Sequence, residues 1–300
     1  MTDTVTTDPP VTTDPPVTSR PDRPPRKRSG GPVRWALRLI VIGYLFLLII
    51  WPTALVAQAT FARGVGPVLD ALSQPEVIFA FQLSVSVSFW AVLINTVFGV
   101  GISLLLVRTR FPGRRLLSAL IDLPLSVSPV VVGLALLLAY GGRTGWFGPL
   151  LENVGIQVIY APLGIILATT FISLPLVVRE IVPVLTELGT DSEQAARSLG
   201  ASPLQTFARI TLPAIRWALL YGIVLSLARS LGEFGAVKIV SGGVALRTQT
   251  ATLLVEERYQ QFGVANTTTA YTAAFVLALT AVVALIIVAL LRPSHGSERS

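Results

Sequence analysis

The sequence predicts an all-α integral membrane protein with six transmembrane helices and both termini in the cytoplasm. Three observations carry that expectation. Only 13% of the 300 residues are charged against 52% hydrophobic, about half the charged share of a soluble domain, and mean hydropathy is +0.71. The apolar residues lie in six continuous runs, and runs that do not alternate are helices rather than barrel strands. Basic residues crowd the segments on one side of those runs.

Residues 1–31 form a region of their own. They hold a tandem VTTDPP repeat, Val5–Pro10 then Val11–Pro16, followed by a basic run from Arg20 to Arg28. With no large apolar side chain except Val, this tail has nothing to bury and is expected to be disordered and cytoplasmic. Its basic stretch comes too late for a secretory signal.

The six runs fall at about 35–57, 78–107, 116–140, 160–178, 212–232 and 270–291. Each is long enough to cross about 30 Å of hydrocarbon, the fourth barely. Glycine and proline within them, such as Gly99, Pro124, Pro129, Pro175 and Gly222, are tolerated in membrane helices, where they allow kinks and close packing. With the N-terminus inside, sixteen of the 23 Lys and Arg fall in cytoplasmic segments: six in the tail, four in 108–115, four in 179–216 and two after residue 291. Five, Arg63, Arg143, Lys238, Arg247 and Arg258, fall outside. The net charge of +7 therefore reports topology and attraction to anionic lipid, not a nucleic-acid-binding face.

The residue counts exclude much chemistry. There is no Cys, and the only His is His295, so neither a thiolate or imidazole metal site nor a Ser–His nucleophile is expected. Of two lysines, Lys27 and Lys238, neither follows Gly, so the chain has no phosphate-binding loop of the Gly-Lys-Ser/Thr kind. No catalytic residue and no cofactor is expected in this chain. If ATP drives its function, another chain hydrolyses it.

Between the fourth and fifth runs lies a segment of helical character. Asp191 is the expected N-cap and Gly200 the C-terminal stop of one short helix. Ser202 before Pro203 begins a second, which places Leu204, Phe207 and Ala208 on one face. That face either packs on the chain's own helices or lipid, or docks into a partner. Gly200 likewise is either an ordinary helix stop or sets the angle between the two helices.

Residues of this segment match a family. Glu193, Gln194, Ala195-Ala196, Gly200, then Ile210-x-Leu212-Pro213 resembles the signature loop of permease subunits of ATP-binding-cassette importers. Family members usually carry Glu directly before the two alanines; here that position is Gln194, with Glu193 one earlier. A second stretch, Ala228-Arg229-Ser230-Leu231-Gly232-Glu233-Phe234-Gly235-Ala236, resembles importers of tetrahedral oxyanions. Lys238–Gly242, Thr248-Gln249-Thr250 and Val255–Phe262 resemble the sulfate/thiosulfate branch and, within it, the W-type permease subunit.

The resemblance covers about residues 35–291. It implies a type-1 importer permease core over 78–291, preceded by a first transmembrane helix and outer loop at 32–77 and followed by a cytoplasmic tail at 292–300. It also implies a place in the bacterial plasma membrane and four kinds of partner: a second, homologous T-type permease subunit, a dimer of ATP-binding subunits that hold ATP and Mg, an extracytoplasmic sulfate-binding protein, and membrane lipid. The expected mechanism is alternating access, with 191–213 as the ATPase-coupling loop and Leu204 and Phe207 inserted into an ATPase groove. A molybdate or tungstate importer is the rival within the family. A gradient-driven secondary transporter is the rival outside it, but has no use for the fixed-spacing loop.

Two further groups have alternative readings. Arg229 and Glu233, four apart near the outer end of the fifth run, are either an ion pair or a pathway element in which Arg229 attracts a dianion and Glu233 restrains it. Ser84, Ser86, Ser88, Asn95, Ser126, Ser128 and Thr169 either donate to an anion along a wet path or bridge packed helices. Residues 251–262, with Leu254, Val255, Tyr259 and Phe262 as a stripe, either rest on the bilayer or form part of a platform for the binding protein.

Overall fold

The computed structural model describes residues 32–143 and 145–291, and every described element is helical. The VTTDPP repeat with its basic run, and the tail at 292–300, lie outside the described residues. Helix α1 spans Pro32–Leu45, and residues up to Leu48 form one unit. The other unit runs from Ile49. Its elements are α2 (Trp51–Phe61), α3 (Gly66–Leu72), α4 (Pro75–Arg108), α5 (Arg114–Ser126), α6 (Pro129–Tyr140), α7 (Gly148–Asn153), α8 (Pro162–Leu188), α9 (Asp191–Ser198), α10 (Pro203–Thr206), α11 (Leu212–Leu231), α12 (Gly235–Ser241), α13 (Ala251–Gln260) and α14 (Val264–Leu291). A π-helical segment, Phe207–Thr211, joins α10 to α11.

Among the described residues, five helices are long and apolar enough to cross a membrane: Arg34–Phe61, Pro75–Arg108, Pro162–Leu188, Pro203–Leu231 and Val264–Ala284. The expected third span, 116–140, is instead the pair α5 and α6, bent by 114°. One proline causes the break. Pro129 has no N–H to continue the ladder, and it disfavours helical geometry at Ser128, whose ψ is 135°. Counting the pair as one span gives six.

Two other boundaries also differ from expectation. The fourth helix continues ten residues past 178, through Pro183 to Leu188, so Arg179 lies within a helix rather than a loop. The fifth begins at Pro203 rather than near 212. The second loop helix is thus the first turn of a membrane helix.

Helices α4, α8 and α11 pack together along small and polar residues. A Cβ on Gly99 of α4 would lie 2.7 Å from Val177 Cγ1 of α8. One on Gly222 of α11 would lie 3.1 Å from the Val177 Cα. Glycine at both positions lets three backbones converge on Val177, the usual route to close packing where lipid supplies no hydrophobic drive. Within this seam Asn95 Nδ2 donates to Ser173 Oγ at 2.8 Å and lies 3.5 Å from Ser226 Oγ, and Ser230 Oγ lies 3.4 Å from Ser173 Oγ. Ser84 accepts the Ala251 N–H at 2.9 Å and so anchors the start of α13. Asn95 and Ser84 therefore join helices. Ser88 and Thr169 are also buried.

The opposite ends of α4, 34 residues apart, are separated by about 50 Å along its axis. At its first turn Glu76 pairs with Arg258 of α13, which also donates to Asn266 of α14 at 2.9 Å. Lys238 of α12 pairs with Glu256 of α13. Leu254 is buried against Val77, Ala80 and Ala273. The stripe expected on 251–262 is thus divided: Leu254 faces the chain's own core, whereas Tyr259 and Phe262 are exposed.

Candidate functional site

The other end of α4 meets the segment 191–213. Helix α9 starts one residue earlier than expected, with Thr190 rather than Asp191 at the N-cap position and making no side-chain cap. Asp191 lies inside the first turn, where with Glu193 it complements the positive end of the helix. Gln194 Nε2 donates back to Thr190 Oγ1 at 2.9 Å.

The end of α9 follows from one residue. Gly200 has φ +87°, its N–H donates to Arg197 O at 2.9 Å, and the Ala201 N–H donates to Ala196 O at 3.0 Å. Those two bonds make a Schellman motif, which needs a left-handed residue at Gly200. Two residues later, Ser202 and Gln205 form a capping box: Ser202 Oγ accepts the Gln205 N–H at 3.3 Å and Gln205 Oε1 accepts the Ser202 N–H at 2.9 Å. The chain therefore turns between two fixed ends with only Leu199–Ser202 between them.

The widened turn Phe207–Thr211 follows. Pro213 lacks the N–H that would bond Arg209, and its ring crowds that carbonyl. The Leu212 N–H reaches back five residues to Phe207 O instead. A π turn ahead of a proline relieves that conflict without breaking the helix.

Glu193 is the centre of the polar contacts here and is only 8% exposed. Its Oε1 accepts from Arg108 Nε at 3.2 Å, Arg108 Nη2 at 3.0 Å and Thr211 Oγ1 at 2.9 Å. Arg108 Nη1 donates to Leu185 O at 3.2 Å. One carboxylate oxygen thereby joins the start of α9 to the end of α4 and to the π segment, and Arg108 extends the contact to α8. Neither Arg108 nor Thr211 is marked by the sequence, since they are 85 and 18 residues from Glu193. Arg108 at the end of an apolar run looks like any topology-setting charge.

The apolar candidates separate into two sets. Phe207 and Leu212 pack on the cluster of Val100, Val177, Ile181, Leu185 and Ile215, and Ala196 and Ile210 are half-buried. Leu204 is 76% exposed, and Leu199, which the sequence pattern did not single out, is 89% exposed. Ala195, Gln194 and Pro213 are exposed. The outward apolar pair on this surface is therefore Leu199 and Leu204, one on each side of the turn at Gly200.

Arg229 and Glu233 do meet, with Nη1 and Oε2 2.7 Å apart, but not on one helix face. Helix α11 ends at Leu231. Glu233 folds back beyond it with a nearly buried side chain, while that of Arg229 is 39% exposed. Glu233 Oε1 also accepts the Ala236 N–H at 3.2 Å at the start of α12. That helix lies so close to α6 that a Cβ on Gly133 would be 2.9 Å from Ala236 O.

Comparison with known proteins agrees with this architecture. Residues 34–295 match the family model described as binding-protein-dependent transport system inner membrane component. A sulfate transport system permease protein CysW from Synechococcus elongatus is 46% identical, over 91% of this chain and 94% of that protein. The CysW protein of Escherichia coli is 42% identical over 89% and 91%, and a CysT protein of Salmonella typhimurium is 38% identical over 73% and 79%. Among solved structures, a bacterial ABC transporter that imports alginate matches with a TM-score of 0.69 at 18% identity, covering 86% of this chain and 93% of that one. At that identity the match speaks for the fold. The chain belongs to the family of binding-protein-dependent transport system inner membrane components, on the branch it shares with the CysW and CysT sulfate permeases.

Proposed function

We propose that this chain is a permease subunit of an ATP-driven sulfate or thiosulfate importer in a bacterial plasma membrane. It provides half of the translocation pathway and takes its drive through 191–213. Both termini face the cytoplasm, and ATP and Mg are held by a dimer of separate ATP-binding subunits. The other half of the pathway is a homologous permease of the T type, and an extracytoplasmic binding protein delivers the anion. The chain itself does no bond-breaking chemistry.

The observation that carries this reading is the construction of 191–213. Two fixed helix ends hold Leu199 and Leu204 outward on a turn, while Glu193 and its partner Arg108 hold the same turn to three other elements. A handle that transmits a push needs an outward surface and a stiff inner attachment, and this segment has both.

Labelled sulfate uptake tests the reading in cells lacking this chain, with and without its restoration. Restored uptake that excess thiosulfate blocks, and modest molybdate does not, is expected. Unchanged sulfate uptake with molybdate accumulation lost would move the chain to the molybdate branch. Uptake that survives ATP depletion and collapses with the ion gradient would remove it from ATP-driven transport altogether.

A further inference from the structure

We propose that Glu193 and Arg108 are positioning residues that lock α9 to α4 and α8, so that a displacement of α9 moves those helices as one body and bends the chain at the π segment. The inference rests on the importer reading and adds to it the point at which movement enters the membrane helices.

Four features of the contact support it. Glu193 is nearly buried, and its one oxygen collects donors from two other elements, while its guanidinium partner reaches the backbone of a third. The attachment is a nearly buried ion pair with further hydrogen bonds, whereas Asp191, Ser192, Gln194, Ala195, Arg197 and Ser198 of α9 are exposed. The one-residue offset between Glu193 and Gln194 turns a side chain by about 100° around a helix. That rotation is why Glu193 points inward and Gln194 is exposed. Thr211 is itself the last residue of the π segment Phe207–Thr211, and a widened turn is the softest place in the helix Pro203–Leu231. The latch therefore grips the end of the turn that yields, and the bend falls between Phe207 and Thr211.

A merely structural salt bridge would lower the amount of assembled protein and leave the work per ATP unchanged. The latch would change the work per ATP. The test uses the complete importer in proteoliposomes and reads sulfate carried per ATP hydrolysed. The sequence has no Cys, so Arg110→Cys and Ser192→Cys, both at exposed positions, introduce the sole two thiols of this chain for a spin-label pair, and the complex with the Cys-free chain serves as the labelling control.

With the latch intact the pair should give one narrow distance. Glu193→Gln, which keeps the shape and removes the charge, should broaden it and lower the transport-to-hydrolysis ratio by about tenfold, within the usual range of coupling between sites. The exchange Arg108→Glu with Glu193→Arg should recover part of both. A native ratio in Glu193→Gln, or a lowered ratio with the 110–192 distance unchanged, overturns the proposal. If Glu193→Gln fails to assemble, the milder Arg108→Lys and Thr211→Val decide by the same two readouts. A native complex that carries no sulfate overturns the substrate reading instead, and the distance measurement then decides the latch alone.

Discussion

Gly200 is the position where one side chain should matter most for least steric reason. No atom lies within 4 Å of where its Cβ would be, so the cost of a substitution there is backbone strain at φ +87°. Strain of that kind is about 1–3 kcal/mol for a residue that avoids the left-handed region, and Val avoids it more strongly than Asn. Gly200→Val should therefore insert at the native level and lose most sulfate uptake, while Gly200→Asn should keep most of it. Equal uptake by both variants would remove the turn from the mechanism. Arg229 permits an equally direct separation. Its carboxylate partner is buried, and removing one member of such a pair leaves a charge uncompensated, at about 3–5 kcal/mol for a fully buried pair and less where, as here, the arginine reaches water. Arg229→Gln should lower uptake. The double variant Arg229→Gln with Glu233→Gln should restore it if the pair is structural and leave it low if Arg229 attracts the anion. Unchanged uptake in Arg229→Gln alone would end the pathway role.

The spans and the helix ends of 191–213 are the parts of the chain that local sequence specifies. Continuous apolar runs mark membrane helices because no other backbone is satisfied in lipid, and Gly200, Ser202 and Pro203 act on neighbours a few residues away. What local sequence does not specify is contact across the fold. Phe207 and Leu204 have the same character and share a predicted helix face, yet one packs on Val100 and Ile215 and the other stands in solvent. Leu204 lies in the first turn, beside the cap at Ser202, whereas Phe207 begins the π segment one turn further along. A matching pair of substitutions checks this assignment. Leu199→Asp and Leu204→Asp should leave membrane abundance unchanged and abolish uptake. Phe207→Asp should lower abundance itself, because it puts a carboxylate against an apolar cluster. Normal abundance of Phe207→Asp with lost uptake would place Phe207 in the docking surface after all. At the seam, Gly99→Val should lower the thermal midpoint, since overpacking costs about 1–3 kcal/mol and a Cβ at Gly99 already crowds Val177, which is fully buried. An unchanged midpoint in a melting scan of the purified importer would refute that packing.

For the whole molecule the decisive question is whether the bent pair α5 and α6 crosses the membrane. Its turn of 114° fits either one broken span or a re-entrant hairpin, and the two give opposite sides to everything that follows. The charges speak for crossing. Arg110 precedes the pair and Arg114 and Arg115 begin it, while Arg179 lies on α8 and Arg197, Arg209 and Arg216 lie beyond it. Both groups sit on the same side only if the pair and α8 each cross once. The ion pairs agree: Arg108 at the end of α4 meets Glu193 beyond α8, which requires two crossings or none between them, and α8 at 27 residues is long enough to span by itself. One crossing by α8 therefore demands one by α5 and α6. The absence of Cys allows the test with single introduced thiols and a membrane-impermeant maleimide on intact cells. Arg143→Cys and Phe262→Cys should label from outside. Arg115→Cys and Ser192→Cys should label only after the membrane is opened. Protection of Arg143→Cys in intact cells, with Arg115→Cys also protected, would make the pair re-entrant. It would then force α8 to stop short of crossing, or Glu193 and Arg108 apart.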